Sequence, residues 1–199
     1  ALGNPGEEYK NTRHNAGFIA ADSFAESCRS ISGEFKANGA SVRKFNLKNK
    51  DIYILKPLEF MNLSGEPVAS FIAKKNIAPE KMIVVHDDMD IPLGKIKLSF
   101  ASGSAGHKGV ESIITCVGSA NFARIRIGIG KHSGMGAEHV LSSFSGDEEK
   151  NFANAVDLST AAIRFSLVNG IDRAMNKFNV KSSAAEPAAD TNKKINEVE

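Results

Sequence analysis

The segment KMIVVHD, residues 81–87, constrains the fold more than any other stretch. Four apolar residues, Met82 to Val85, run without alternation and end abruptly in His86 and Asp87. A continuous run of this kind marks a strand covered on both faces, as in sheets that carry helices on either side. The flanking stretches agree. From His14 to about Arg29, Phe18, Ala21, Phe24 or Ala25, and Cys28 recur at helical spacing. ASVRKFNL and DIYILKP are β-rich runs separated by the turn-like Lys48-Asn49-Lys50. SGEPVASFIAKKN reads as a helix with Ser64 near its N-cap and Pro67 in its first turn. GKIKLSF reads as a half-exposed strand, GHKGVESIITCVG as a helix and FARIRIGIG as a strand; DEEKNFANAVDLSTAAIRFSLVNG is the longest helical pattern. Strands alternating with helices imply an α/β fold. The expectation is one domain over residues 1–180, with a mixed, mostly parallel central sheet flanked by helices in three layers.

Composition narrows the class. At 199 residues the chain can bury a sizeable core, and 42% hydrophobic with 24% charged residues is ordinary for a globular protein. A formal charge of +2 means that any basic footprint is local. Cys28 and Cys116 lie far apart without motif partners, which fits a reducing compartment. No apolar run approaches the roughly 18–20 residues of a membrane span, and no signal-peptide pattern is visible, so a cytoplasmic location is expected. After Val180, KSSAAEPAADTNKKINEVE has almost no large apolar residues and reads as a flexible tail, 181–199. There is no GxxxxGK[ST], no GxSxG and no HExxH, and in GIGKHSG the third glycine comes one residue late for a dinucleotide fingerprint.

In a doubly wound sheet, sites lie beyond the carboxyl ends of strands. That selects the loops after Leu2, Leu55, Val85 and Phe100. HDDMD, residues 86–90, offers three carboxylates and an imidazole to a divalent cation, but an extended backbone aims His86, Asp88 and Asp90 one way and Asp87 the other. Its other readings are a solvated strand end, or a single carboxylate, Asp87, that orients a histidine elsewhere. His14 is a helix-start histidine or a base. Asn4 suits an Asn-Pro turn, Asn62 suits a helix cap, and Phe60 and Met61 suit a core. Lys95 and Lys97 alternate on one strand, Arg124 and Arg126 on another, and Lys108 stands at a helix start. Together they form either a phosphate-clamping patch or ordinary solvated strand faces.

In order and spacing, LGNPGEEYKNTRHNAGF, FMNLSGEPV, VVHDDMDIPLGKIKL, GSAGHKGVESI and RIRIGIG resemble the signature segments of bacterial-type peptidyl-tRNA hydrolases, over about residues 2 to 178. The resemblance implies a phosphorylase/hydrolase-like three-layer sandwich that cuts the ester between a peptide and the 3′-terminal ribose of tRNA. It implies His14 as catalytic base and Asp87 as the carboxylate that orients it. Asn4 and Asn62 would hold substrate near the base, with Tyr9, Phe60 and Met61 near the tRNA end. His107 and Lys108 fall in a substrate-binding segment that the family usually writes G-G-H-N-G. Lys108 replaces an asparagine there; it cannot accept a hydrogen bond but can contact a phosphate. The partner the resemblance implies is peptidyl-tRNA, met at the tRNA acceptor end and the nascent peptide. The further expectations are no cofactor, no metal, no membrane and no obligate protein partner, with a monomer expected because no long apolar stripe is left over. The resemblance also implies roughly five apolar residues of strand ahead of Ala1. The rival readings are a non-catalytic RNA-binding relative, like the organellar splicing factors of this fold, and a metal-dependent hydrolase built on HDDMD.

Overall fold

The computed structural model describes residues 1–28, 32–131 and 136–179. A 3₁₀ turn at Arg13–Asn15 leads into α1 (Ala16–Glu26), followed by β1 (Phe35–Ala37), β2 (Ala40–Leu47) and β3 (Lys50–Pro57). Next come α2 (Gly65–Lys75), β4 (Ile83–Asp88), β5 (Ile96–Phe100), α3 (Lys108–Val117) and β6 (Ala123–Gly128). Helices α4 (Gly136–Leu141), α5 (Asp147–Asn169) and α6 (Ile171–Phe178) complete it. The expected tail and the end of the first helical pattern at Arg29 lie outside the described residues. Among the described residues no helix is long and apolar enough to cross a membrane.

The strands form two three-stranded sheets, β1-β2-β3 and β4-β6-β5. β4 lies parallel to β6, with Val85 opposite Ile125, and β5 runs antiparallel to β6, with Leu98 opposite Ile125. The β4-β6-β5 sheet is mixed, as expected, whereas β1-β2-β3 is wholly antiparallel, so β4/β6 is the only parallel ladder among the described strands. The reason is local. Lys48 and Asn49 both take positive φ, 50° and 61°, the left-handed two-residue turn whose twist suits a hairpin, and this folds β3 back on β2. The first residues of the chain link the two sheets. The Ala1 amino nitrogen donates to Leu55 O of β3 at 2.8 Å, and Leu2 N donates to Val85 O of β4 at 2.9 Å.

β4 is buried from Val84 to Asp88, as its uninterrupted apolar run requires. On one face Val85, Leu98, Ile125 and Ile127 pack against Ala16, Ala20 and Phe24 of α1 and Phe152, Ala155, Ala162 and Ile163 of α5. On the other, Val84 packs with Leu2, Met61, Val68 of α2, and Val110 and Ile113 of α3. Each such Val, Leu, Ile, Phe or Met side chain contributes about 1.5–3 kcal/mol when fully buried. Gly17 lets α1 approach β4 at the site. A Cβ there would lie 2.4 Å from Val85 O and 2.5 Å from Leu2 O, so any side chain would force the helix start away from the strand end.

Ser64 stands at the N-cap position of α2, but in a helical conformation that makes no cap, and its buried hydroxyl has no partner among the described residues. Ser112 of α3 supplies the missing acceptor, its Oγ taking Gly65 N–H at 2.9 Å.

Candidate active site

Asp87, the penultimate residue of β4, lies beneath the start of α1, where its carboxylate is almost fully buried. His14, in the 3₁₀ turn before α1, places Nδ1 2.9 and 3.0 Å from the two oxygens of that carboxylate. His107 places Nε2 2.9 Å from Asp87 Oδ1, so one carboxylate meets two imidazoles whose ring centroids are 5.1 Å apart. Burial pushes the Asp87 carboxyl up, but the hydrogen bonds from His107 and then His14 outweigh it and hold the group well below the usual carboxylate range. His86 is also buried. Desolvation, with the His107 ring beside it, pushes its imidazole down to about 3, so it is neutral. A carbonyl can only accept, so His86 Nδ1 carries the proton it gives to Asp87 O at 2.7 Å.

His14, Asp87 and His107 also form the one group of described side chains close enough to share a metal ion, with ligand atoms within 4.8 Å of one another. Their hydrogen bonding argues against that use. Nδ1 of His107 faces the backbone N–H groups of Gly109 and Val110 at 3.1 and 3.3 Å. Amide N–H groups only donate, so Nδ1 is the acceptor and Nε2 bears the proton, with no lone pair for a cation. The HDDMD residues do not converge. His86 is walled in, Asp88 accepts from Arg126 Nε at 2.6 Å, and Asp90 pairs with Lys131 at 2.6 Å.

Asn4 is buried beside this pair. Its N–H donates to Asn15 Oδ1 at 2.8 Å, and Asn15 Nδ2 returns a bond to Asn4 O at 3.0 Å. Met61 N–H donates to Asn4 Oδ1 at 2.9 Å. That bond fixes the orientation of the side-chain amide and leaves its NH₂ without a partner among the described residues. Met61 therefore serves the site through its backbone; its thioether is in the core, where a Cβ on Gly109 would come within 2.5 Å of the sulfur. Asn62 does not cap α2: it sits exposed in a 3₁₀ turn, Met61–Leu63. Phe60 is 55% exposed and meets Tyr9 edge to face, with centroids 6.3 Å apart.

The basic residues divide. Lys95 and Lys97 are exposed, Lys97 stands opposite Arg126 in the β5/β6 ladder, and Lys108 is exposed as the first residue of α3. Arg126 is half-buried on Asp88. Arg124, expected on the same surface, is only 2% exposed. Its guanidinium bonds the carbonyls of Ser102 and Gly103 and stacks over Phe122 at 5.0 Å. β6 is the central strand of its sheet, so alternation there does not produce a solvated face.

Arg13 is the residue the sequence reading missed. Its Nε donates to Ser142 Oγ at 3.1 Å and its Nη2 to Glu148 Oε2 at 2.7 Å, while the guanidinium lies 4.4 Å from the Phe144 ring centre. Arg13 N–H donates to Ser142 O at 3.0 Å, and Thr12 bridges Ser143. The turn that carries His14 is thus clamped to the segment between α4 and α5. The partners lie 129 and 135 residues downstream, and the only local signal was a basic residue beside the candidate base.

Comparison with known proteins gives one family. The family model described as Peptidyl-tRNA hydrolase matches residues 1–187. A peptidyl-tRNA hydrolase of Thermodesulfovibrio yellowstonii is 41% identical over 181 residues, covering 89% of this chain and 96% of that protein. One from Aquifex aeolicus is 39% identical over 180 residues, covering 89% and 93%. The crystal structure of peptidyl-tRNA hydrolase from Acinetobacter baumannii superposes with a TM-score of 0.84 at 32% identity, covering 90% of this chain and 92% of that one.

Proposed function

The chain belongs to the peptidyl-tRNA hydrolase family, and from that premise we propose that it hydrolyses the ester joining a peptide to the 3′-terminal ribose of tRNA, with His14 as a metal-free general base. The observation that carries this reading is the bond from His14 Nδ1 to the buried Asp87 carboxylate. It assigns the ring proton to Nδ1 and leaves Nε2 as an unprotonated nitrogen with no partner among the described residues. Nε2 takes a proton from water as the oxygen attacks the acyl carbon. The resulting imidazolium is stabilised by Asp87 and returns the proton to the departing 3′-oxygen. A base of this kind contributes about 10²–10⁴-fold.

The NH₂ of Asn4 and the exposed amide of Asn62 are the donors available for the oxyanion or for the first peptide group, and losing one such donor costs roughly 10²–10³ in rate. A site that requires a peptide amide disfavours an aminoacyl ester with a charged amine. Tyr9 and Phe60 offer an aromatic rim to the terminal nucleotide. Lys95, Lys97, Lys108 and Arg126 offer cations to phosphates, with salt-dependent affinity.

The test is turnover of a peptidyl-tRNA by wild type and His14→Ala, each with and without a chelator. Loss of turnover in His14→Ala and indifference to chelation are expected. Sustained turnover by His14→Ala overturns the base assignment. Loss on chelation that zinc or manganese restores overturns the metal-free step. A wild-type chain that binds tRNA without cleaving it supports the RNA-binding alternative.

A further inference from the structure

Asp87 serves two histidines, and the two are not equivalent. His14 makes its bond through Nδ1 and keeps Nε2 uncommitted. His107 has no uncommitted nitrogen. Nδ1 accepts the N–H groups of Gly109 and Val110 and so caps α3, and Nε2 donates to Asp87 Oδ1. Its ring is held between His14, at 5.1 Å, and the buried His86, whose ring meets it edge to face at 4.6 Å. A side chain with both nitrogens engaged inside the protein is poorly placed to bind substrate, although its position in the chain suggests that role.

We infer that His107 is a positioning residue for the base: the cap on α3 locks it as the Nε2–H tautomer, and that N–H fixes the carboxylate that orients His14. The physical content is a division of labour. A second imidazolium on the same carboxylate would compete with His14 for its charge. To become one, His107 would have to protonate Nδ1 and surrender both cap bonds, leaving two N–H groups at the α3 terminus without that acceptor. The cap therefore reserves the negative charge of Asp87 for His14 while Nε2–H still holds the carboxylate in place. A hydrogen bond to a charged group is among the stronger ones in a protein, so the contribution of this N–H to orientation is readable in rate.

Each element packed around the pair carries charged or titratable groups: α1 carries Glu26 and Asp22, the latter paired with Lys56, and β4 and β6 share the Asp88–Arg126 pair. β4 brings Asp87 and His86, and β6 brings Arg124, whose guanidinium is turned onto the Ser102 and Gly103 carbonyls. The first turn of α3 brings Lys108 and Glu111, and α2, packed on α3, brings Glu66. The 3₁₀ turn brings Arg13, engaged by Glu148, and α4 brings Glu138 and His139, whose ring lies on the carbonyls of Ile129 and Gly130.

The inference rests on His14 being the base, and the experiment separates the two. His107→Asn keeps a good N-cap residue but cannot reach Asp87. Its kcat on peptidyl-tRNA should fall about ten- to a hundredfold with KM nearly unchanged. The acid limb of its pH–kcat profile should move to higher pH, because an Asp87 with one donor fewer attracts a proton on His14 more strongly. Melting temperature should stay near wild type. Imidazole ¹⁵N spectra of the wild type should give His107 as the Nε2–H tautomer and His14 as Nδ1–H. A raised KM with unchanged kcat and an unmoved acid limb overturns the inference and makes His107 a substrate contact. An Nδ1–H tautomer at His107 overturns it independently of folding or activity. Retained turnover by His14→Ala instead overturns the underlying assignment.

Discussion

The two sides of the site are built on opposite rules. On the inner side, Asp87, Asn4, Asn15 and Arg13 are all buried, and each is held by hydrogen bonds that fix its orientation. On the outer side, Phe60, Asn62, Lys95, Lys97 and Lys108 are exposed, and the side chains of Asn62, Lys95, Lys97 and Lys108 have no hydrogen bond or ion pair among the described residues. In the proposed reaction, groups that would meet the reacting atom in one geometry are fixed before substrate arrives, which leaves no ordering for the chemical step. Groups proposed to contact the RNA end are left free to adapt. The difference predicts that inner-side changes act on rate or stability and rim changes act on affinity.

The largest expected effect is at Asp87. Asp87→Asn removes the charge that holds His14 in its tautomer and should lower kcat about 10²–10⁴-fold, measured by steady-state hydrolysis of a peptidyl-tRNA. A mainly KM effect would break the division. Phe60→Ala should weaken tRNA binding about 5- to 100-fold, the range of one lost base–aromatic contact, with the melting temperature unmoved. Equal loss in kcat would put Phe60 on the inner side. Arg13→Met should cost about 2–3 kcal/mol in urea unfolding, because several hydrogen bonds of a buried cation are lost at once. Its kcat should fall too, since the turn carrying His14 loses its clamp to Glu148 and Ser142. Lys97→Ala should lower the slope of log affinity against log salt by about one, and a slope identical to wild type would remove Lys97 from the phosphate contacts.

Acid stability sharpens the inner side further. With the folded His86 imidazole pushed down to about 3, the unfolded chain binds a proton that the folded chain does not between about 6.5 and about 3. Stability at His86 is therefore full above about 6.5 and falls as pH drops through that window. His86→Asn should flatten the dependence, as read by unfolding at pH 7 and pH 5. The depressed Asp87 acts in the same direction at lower pH: its stabilisation is present above the ordinary carboxylate range and is lost toward its folded value.

Much of this was legible in the chain. The uninterrupted run ending in His86-Asp87 announced a strand covered on both faces, and Lys48-Asn49 announced the hairpin. The residues proposed for the chemistry sit in short motifs whose spacing the fold preserves. What was not legible depends on long-range packing. Arg124 and Arg126 alternate as an exposed strand does, yet β6 is the central strand of its sheet and Arg124 is buried against the carbonyls of Ser102 and Gly103. Ser64 has the composition of a cap, but Ser112, 47 residues from Gly65, supplies the acceptor. β1 and α4, of three and six residues, are too short for a periodic pattern to show. Nor does anything local tell which nitrogen of His107 the first N–H groups of α3 meet.

The account turns on Asp87 acting through His14, and a double-mutant cycle in single-turnover hydrolysis at saturating peptidyl-tRNA tests that directly. If the pair works as one unit, His14→Ala and His14→Ala/Asp87→Asn should cleave at the same residual rate, because the carboxylate has nothing left to orient. A double variant slower than His14→Ala by the full Asp87→Asn factor would contradict the account and give Asp87 a role of its own.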